Sequence, residues 1–291
     1  MRIFVSGATG YIGRFLVRQL TQMGYSMATI SRERQELKLE GLERIAYDGT
    51  AQSLEDSLGA WGPSAIVHLA ANTSKDIAAK TVDGLLHSNL VFATHLLAAA
   101  NRCNAKLFIN ISTFSTSQDG ATYSPQTLYA ATKKAFEDIA LYYHRYEDIA
   151  VITLCFFDIY GPNQPHQRLL PSLLRAILEN RPFAMTRGEQ EICLLHVEDA
   201  VDAIVHCLRC EAPVAKEREQ VFSVYGPEVF RVSDLPKVIA SVLSAPCDQV
   251  TFERPYRKNE IMRFAPLHPA LPGWTAKRRL LESLPSLLEG K

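Results

Sequence analysis

The run Gly7-Ala8-Thr9-Gly10-Tyr11-Ile12-Gly13 constrains this chain most, because of where it stands. It follows directly on the apolar stretch Arg2–Ser6. It also opens a helix-period segment, Tyr11–Met23, with Ile12, Phe15, Leu16 and Leu20 on its inner side. Glycine allows a tight turn and close backbone approach, and the N–H groups at a helix start attract a pyrophosphate. The spacing is GxxGxxG rather than the GxGxxG of the usual dinucleotide fingerprint, so its position between first strand and first helix carries the weight. The alternative is a tight connection without a ligand. Read as a phosphate turn, it makes Gly7, Thr9, Gly10, Tyr11, Ile12 and Gly13 the candidate contacts to a dinucleotide.

The pattern after the turn agrees. Tyr25–Ser31, Ala65–Leu69, Lys106–Ile111 and Ala150–Phe156 read as further strands, with helical stretches around Leu85–Asn101 and Leu128–Arg145. Such alternation predicts an α/β chain with a doubly wound parallel sheet, helices on both faces, and ligands beyond the carboxyl ends of the strands. After Tyr160, prolines at 162, 165, 171 and 182 break the segment. The expected division is a dinucleotide-binding domain over 1–162 and a smaller substrate-binding domain over 163–291, partly interleaved with the first. The stretch Pro255–Pro272, rich in proline and charge, is the least regular.

At the end of the second strand, a carboxylate would hydrogen-bond an adenosine ribose, whereas an arginine would accommodate a 2′-phosphate. Here stand Ser31 and Arg32, which favours NADP and leaves NAD open. Asp48, after the strand-like Arg44–Tyr47, is placed to meet the adenine. Tyr129 and Lys133 lie four apart near the start of a helical segment and so share a face. A free tyrosine titrates at about 10, and a neighbouring cation would pull that value down into use. A chance YxxxK on a helix surface is the alternative.

Together the glycine turn and the YxxxK resemble the extended short-chain dehydrogenase/reductase family, the group holding NAD-dependent sugar epimerases and dehydratases on a Rossmann-type fold. His68-Leu69-Ala70-Ala71 resembles the family HxAA, Tyr160-Gly161-Pro162 its YGP, and Leu195-His196-Val197-Glu198-Asp199 its late (I/V)HVxD. Gly273-Trp274 resembles its near-terminal GW. The resemblance implies hydride transfer at a nicotinamide. Tyr129 would be the acid/base and Lys133 the residue that orients the ribose and lowers the tyrosine pKa. Thr113, at the end of Ile111-Ser112-Thr113, would bond the reacting oxygen. It sets Leu69, Ala70, Ala71, Ser112 and Phe156 on the cofactor side, and Asp158 and Arg168, with Thr113, on the substrate side. Asn89 matches a family asparagine; it reads equally as a cofactor-side residue or as a bond that only stabilises its helix.

Departures narrow the substrate. Dehydratases of the family carry Asp–Glu after the position of Thr113, where this chain has Phe114-Ser115. Asp158 replaces a frequent asparagine and Ile192 a diphosphate-binding arginine; Arg168, Arg175 and Arg187 are possible substitutes. Leu154-Cys155 replaces a frequent Leu-Arg, from which nothing follows for substrate. The implied activity is NADP-dependent reduction of the 4-keto group of a nucleotide-linked deoxy sugar. The alternatives are a 4-epimerase with retained NAD and a non-catalytic NAD(P)-binding sensor or assembly protein.

Lysine plus arginine balance aspartate plus glutamate at 31 each, so charge gives no reason to expect nucleic acid or a membrane surface as partner. No apolar stretch approaches the roughly 20 residues of a membrane span. The first strand begins almost at Met1, and cytoplasmic residence is expected. The cysteines are scattered; Cys207 and Cys210 form a CxxC without a second ligand pair, which reads as buried thiols rather than as a metal site. By the resemblance, a homodimer is expected through Leu85–Asn101 and Leu128–Arg145, with Phe136, Ala140 and Tyr143 facing outward.

Overall fold

The computed structural model describes residues 1–30, 41–164, 168–209 and 220–287. In chain order its elements are β1 (Arg2–Ser6), α1 (Tyr11–Gln22), β2 (Ser26–Thr29), β3 (Leu42–Arg44), α2 (Ala51–Trp61), β4 (Ala65–His68), α3 (Ala79–Leu86) and α4 (Phe92–Arg102). There follow β5 (Leu107–Thr113), α5 (Leu128–Tyr146), β6 (Ala150–Phe156), β7 (Asp158–Tyr160), α6 (Leu169–Leu178), β8 (Phe183–Thr186), β9 (Glu191–His196) and α7 (Val197–Arg209). The last are β10 (Val221–Val224), β11 (Val229–Arg231), α8 (Leu235–Leu243), β12 (Val250–Arg254) and α9 (Leu280–Ser283).

The main sheet is seven-stranded, in the order β10-β6-β5-β4-β1-β2-β3, and parallel throughout. Strand order reverses between β2 and β4 on either side of β1, which puts the cofactor crevice above the end of β1. β1 shows why its sequence is an unbroken apolar run. Ile3 and Val5 pack with Leu16, Val17 and Leu20 of α1 and Val201 and Ile204 of α7. Phe4 faces the other way, onto Leu54 and Leu58 of α2 and Leu96 and Leu97 of α4. A strand covered on both faces has no solvent side to make polar.

Two elements from late in the chain, α7 and β10, complete this larger body. α7 packs beside α1, and β10 forms the sheet edge next to β6. The smaller lobe has its own core of Leu170, Leu173, Leu174 and Ile177 from α6 with Leu235 and Ile239 from α8. Its sheets, β11-β9-β7 and β12-β8, lie beyond the carboxyl edge of the main sheet, because β7 begins only one residue after β6 ends. That junction sets Asp158 at the mouth between the two bodies.

The late His196–Asp199 segment is explained by packing. Asp199, almost fully buried, accepts from the Lys277 and Arg278 N–H groups at 3.1 and 2.9 Å and from the Arg278 guanidinium at 2.5 Å. Glu198 and Asp202 complete the clamp on Arg278 at 2.8 and 3.1 Å. Gly273-Trp274 lies just upstream, with Trp274 packed on the main core. Cys207 is buried within α7; Cys210 lies outside the described residues.

Candidate active site

The glycine turn folds as its sequence requires. Gly7 sits at φ +74°, and the Gly10 N–H bonds the Gly7 carbonyl at 2.9 Å. A Cβ on Gly7 would meet the Ala70 nitrogen at 2.7 Å, and one on Gly13 would meet the Gly7 carbonyl oxygen at 2.2 Å. The backbone therefore comes as near to the β4 loop and to its own helix as glycine alone allows. Gly10 is the N-cap of α1 and supplies no side-chain acceptor, and the first turn holds no acidic residue. The helix-start N–H groups are left to an outside anion, so the cradle fits a pyrophosphate.

Around the turn, the Leu69 and Ala70 N–H groups bond the Ser6 carbonyl and hydroxyl at 3.1 and 3.3 Å. Ala71 follows on the same half-exposed loop. The Ser6 hydroxyl also meets His68 Nδ1 at 2.7 Å. Thr9 is exposed at the tip, and its carbonyl accepts from Arg14 Nε at 2.9 Å. Ile12 packs against the main core. Tyr11 reaches across the mouth to donate to the Pro162 carbonyl at 3.2 Å; burial, then Glu198, pushes its pKa upward. The phenol stays neutral and acts as a brace.

Asp48 is exposed. Its carboxylate accepts from the Thr50 N–H and hydroxyl at 2.8 and 2.7 Å, which organises the N-terminus of α2 and lowers its pKa. Ser31 and Arg32 lie outside the described residues. Phe156 is buried in the main core, so only its backbone borders the crevice.

The three residues read as catalytic stand on two neighbouring elements, Thr113 on β5 and the other two on α5. Thr113 ends β5, paired with Phe156 of β6, and its hydroxyl shares a 2.9 Å bond with that of Ser115. Thr127 caps α5 by accepting from the Ala130 N–H at 3.1 Å. Tyr129 therefore stands in the first turn, half-buried, with Lys133 one turn further and 2% exposed. Burial lowers the Lys133 pKa to about 8, against an upward push from Glu137 and then Cys155.

The expected depression of Tyr129 by Lys133 is not found. Burial pushes the phenol up to about 12, and the charge that opposes it is that of Arg168. Desolvation of the anion outweighs the cation, so within the protein alone Tyr129 is firmly protonated.

Ser112, expected on the cofactor side, turns its hydroxyl inward and donates to Glu137 Oε1. Asn89 is occupied as well. Its Oδ1 accepts from the Asn72 N–H at 2.8 Å, and its Nδ2 donates to the Asn72 carbonyl and the Thr132 hydroxyl at 3.0 Å each. These bonds run to the loop after β4 and to α5 rather than within its own helix. Asn89 ties the loop after β4 to α5 from within the wide turn His87–Val91 that joins α3 to α4.

A cleft of about 670 Å³ lies between the two bodies. It is lined among others by Lys75, Phe114, Asp158, Arg168, Arg254 and Arg257. Arg168 precedes α6, and Asp158 opens β7. Burial raises the Asp158 pKa, while Arg168 and Lys75 draw it down, so the aspartate sits among cations that neutralise it. Phe114 lies flat against Phe157, with ring centroids 4.8 Å apart, and Phe264 and Tyr225 extend the aromatic wall.

Lys75, Arg254 and Arg257 are cleft cations that sequence reasoning missed, as it did the cleft carboxylates Glu191 and Glu260. Lys75 belongs to an irregular loop and Arg257 to the proline-rich stretch, so only tertiary structure brings them together. Arg175 lines a separate cavity of about 250 Å³, and Arg187 is absent from the cleft lining.

Comparison with known proteins agrees with this geometry. The sequence profile of the NAD-dependent epimerase/dehydratase family matches residues 3–224. The chain is 25% identical over 237 residues to CDP-abequose synthase of Yersinia pseudotuberculosis, spanning 81% of this chain and 82% of that protein. It is 28% identical to dTDP-glucose 4,6-dehydratase of Streptomyces niveus over 237 residues, 70% of this chain and 68% of the relative. Among solved structures, MoeE5 in complex with UDP-glucuronic acid and NAD superposes with a TM-score of 0.83 at 24% identity, covering 99% of this chain and 98% of that one. With its glycine turn, its tyrosine–lysine pair and a family match over three quarters of its length, the chain belongs to the NAD-dependent epimerase/dehydratase family.

Proposed function

We propose that this chain is an NADP-dependent reductase acting on the 4-keto group of a nucleotide-linked deoxy sugar. The observation that carries the choice is Phe114 stacked on Phe157 directly after Thr113. Where dehydratases of the family resemblance place two carboxylates for removing water, this chain has an apolar ring and Ser115. What remains is the Thr113, Tyr129 and Lys133 set, which suffices for carbonyl reduction. Similarity to a CDP-abequose synthase over most of both chains supports the same reading.

Residues of the turn, Gly7 to Gly13, would hold the pyrophosphate, Asp48 the adenosine end, and Lys133 the nicotinamide ribose. Ser31-Arg32 in place of a carboxylate favours NADP over NAD. When bound, the cofactor would supply the hydride. Tyr129 donates its phenolic proton to the carbonyl oxygen, and Thr113 donates a hydrogen bond to that oxygen as its charge grows. A phenol held neutral at a pKa of about 12 keeps its proton until the developing alkoxide takes it. Arg168, Arg254 and Arg257 supply the positive charge that Ile192 does not, facing the substrate diphosphate.

A homodimer belongs to this proposal, with one correction to its face. Phe136 and Ala140 are buried in the protein's own core and Tyr143 packs against it. The exposed apolar side chains on these helices are Leu86, Val91, Tyr142 and Tyr146. Cytoplasmic residence belongs to the same proposal; the free thiols of Cys103, Cys193 and Cys247 suit a reducing compartment.

The test is NADPH and NADH oxidation by the purified protein with 4-keto-6-deoxyhexoses linked to CDP, dTDP, UDP and GDP. Turnover with exchangeable NADPH on at least one of them is expected. Stoichiometric NAD that survives purification, with 4-epimerisation and no net oxidation, would replace the reductase by an epimerase.

A further inference from the structure

Beneath the catalytic pair lies a carboxylate that the reaction above does not use. Glu137 sits one helical turn past Lys133 on the same face of α5, and it is 3% exposed. An unsolvated carboxylate is costly to bury, so its surroundings must supply what water would. Ser112 supplies one hydrogen bond, to Oε1. Ser112 directly precedes Thr113 on β5. One buried carboxylate thus lies a helical turn from the lysine on the same face of α5 and is tied to the strand end that carries the hydroxyl donor.

The geometry points to Glu137 as a positioning residue, whose carboxylate keeps Lys133 charged at neutral pH and, through Ser112, fixes the end of β5 that bears Thr113.

The charges around Lys133 leave this task to Glu137. From α5 it faces Tyr129 and Glu137, from β6 Cys155, and from β4 His68. His68 stays neutral because burial, and then Lys133 itself, hold its pKa well below the ordinary value. Tyr129 is protonated, and Cys155 is the lesser of the two groups acting on Lys133. Glu137 in turn meets Ser112 from β5. It shares a narrow crevice with His144, Thr153 and Gln220 and acts at longer range on Tyr123. Without the carboxylate, burial alone would set the Lys133 titration, and its proton would be lost at a lower pH.

The inference rests on the proposed reductase reading in that Lys133 serves the cofactor ribose and Thr113 the substrate. Glu137→Gln, near in shape, is measured for turnover and for NADPH affinity across pH 6 to 10. The expected result is near-native behaviour at the acid end, with the basic limb of both profiles moved about one unit lower, a loss of about fivefold at pH 8 that approaches tenfold above it. Glu137→Asp should return the limb toward its native position. A limb that stays where it is in wild type, whatever the height of the profile, overturns the proposal.

If Glu137→Gln does not fold, Ser112→Ala separates the two tasks. It should lower kcat about tenfold at every pH with the limb unmoved; an unchanged kcat or a moved limb overturns the tether. A wild-type protein that binds NADPH without reducing any sugar would refute the reductase reading. The pH profile of affinity would still decide the role of Glu137.

Discussion

Tyr129 and Lys133 illustrate how burial decides chemistry at single residues. Both lose solvent in the first two turns of α5. The phenol is driven up and the ammonium down, so near neutrality the pair is a protonated acid beside a cation. Tyr129→Phe removes the proton donor and leaves the cradle intact. It is predicted to lower kcat by roughly 10²–10⁴-fold with NADPH affinity within a few-fold of wild type. Equal affinity with no turnover in either protein would place the chain among cofactor-binding sensors. Because the folded Lys133 titrates at about 8 instead of 10.5, its charge is lost as pH rises through that value. Turnover and cofactor affinity of the wild type should therefore fall roughly tenfold per unit above pH 8, a slope that a pH–rate profile reads directly. Their common helix face was legible in the sequence, because residues at i and i+4 lie one above the other. Their protonation was not, since desolvation depends on depth. Nor was Arg168, instead of Lys133, as the charge acting on the phenol.

Among elements, the turn between β1 and α1 and the clamp on Arg278 are the two places where a small change should spread. Gly13→Ala puts a methyl 2.2 Å from the Gly7 carbonyl oxygen, within backbone that has little room to shift. It is predicted to cost about 1–3 kcal/mol of stability and most of the NADPH affinity, measured by thermal denaturation with and without the cofactor. Asp199→Ala removes three charge-assisted hydrogen bonds that dock the segment after Trp274 onto α7. The expected loss is about 3 kcal/mol, seen as a lower denaturant midpoint at unchanged slope. The central strands and α1 were readable because both faces of the sheet are covered, which writes continuous apolar runs into the sequence. Less was readable where the chain leaves the sheet. β10 is four residues long, and its place beside β6 follows from tertiary pairing rather than from any local signal. The helix expected over Leu85–Asn101 is continuous but carries one wide, π-helical turn at His87–Val91, which nothing in its apolar period announces.

At the scale of the whole molecule, the larger body presents a cofactor cradle and the smaller lobe closes a cleft of mixed charge over its edge. The cleft is assembled from Lys75, Asp158, Arg168, Arg254 and Arg257, residues spread across some 180 positions of sequence. That is why substrate recognition was the least legible property, while the glycine turn, contiguous and placed after the first strand, was the most legible. Outside the cleft, Val91 at 41% exposure and Tyr146 at 72% mark the helix face assigned to a second copy. Val91→Glu with Tyr146→Glu is predicted to shift sedimentation from dimer to monomer, and a wild type that sediments as a monomer would remove the dimer from the account. The central claim is that a nicotinamide dinucleotide rests its pyrophosphate on the N-terminus of α1. Calorimetric titration of the purified protein with NADPH and NADH tests it directly. Saturable one-to-one binding, tighter for NADPH, is the expected result; no heat and no saturation with either cofactor would contradict it.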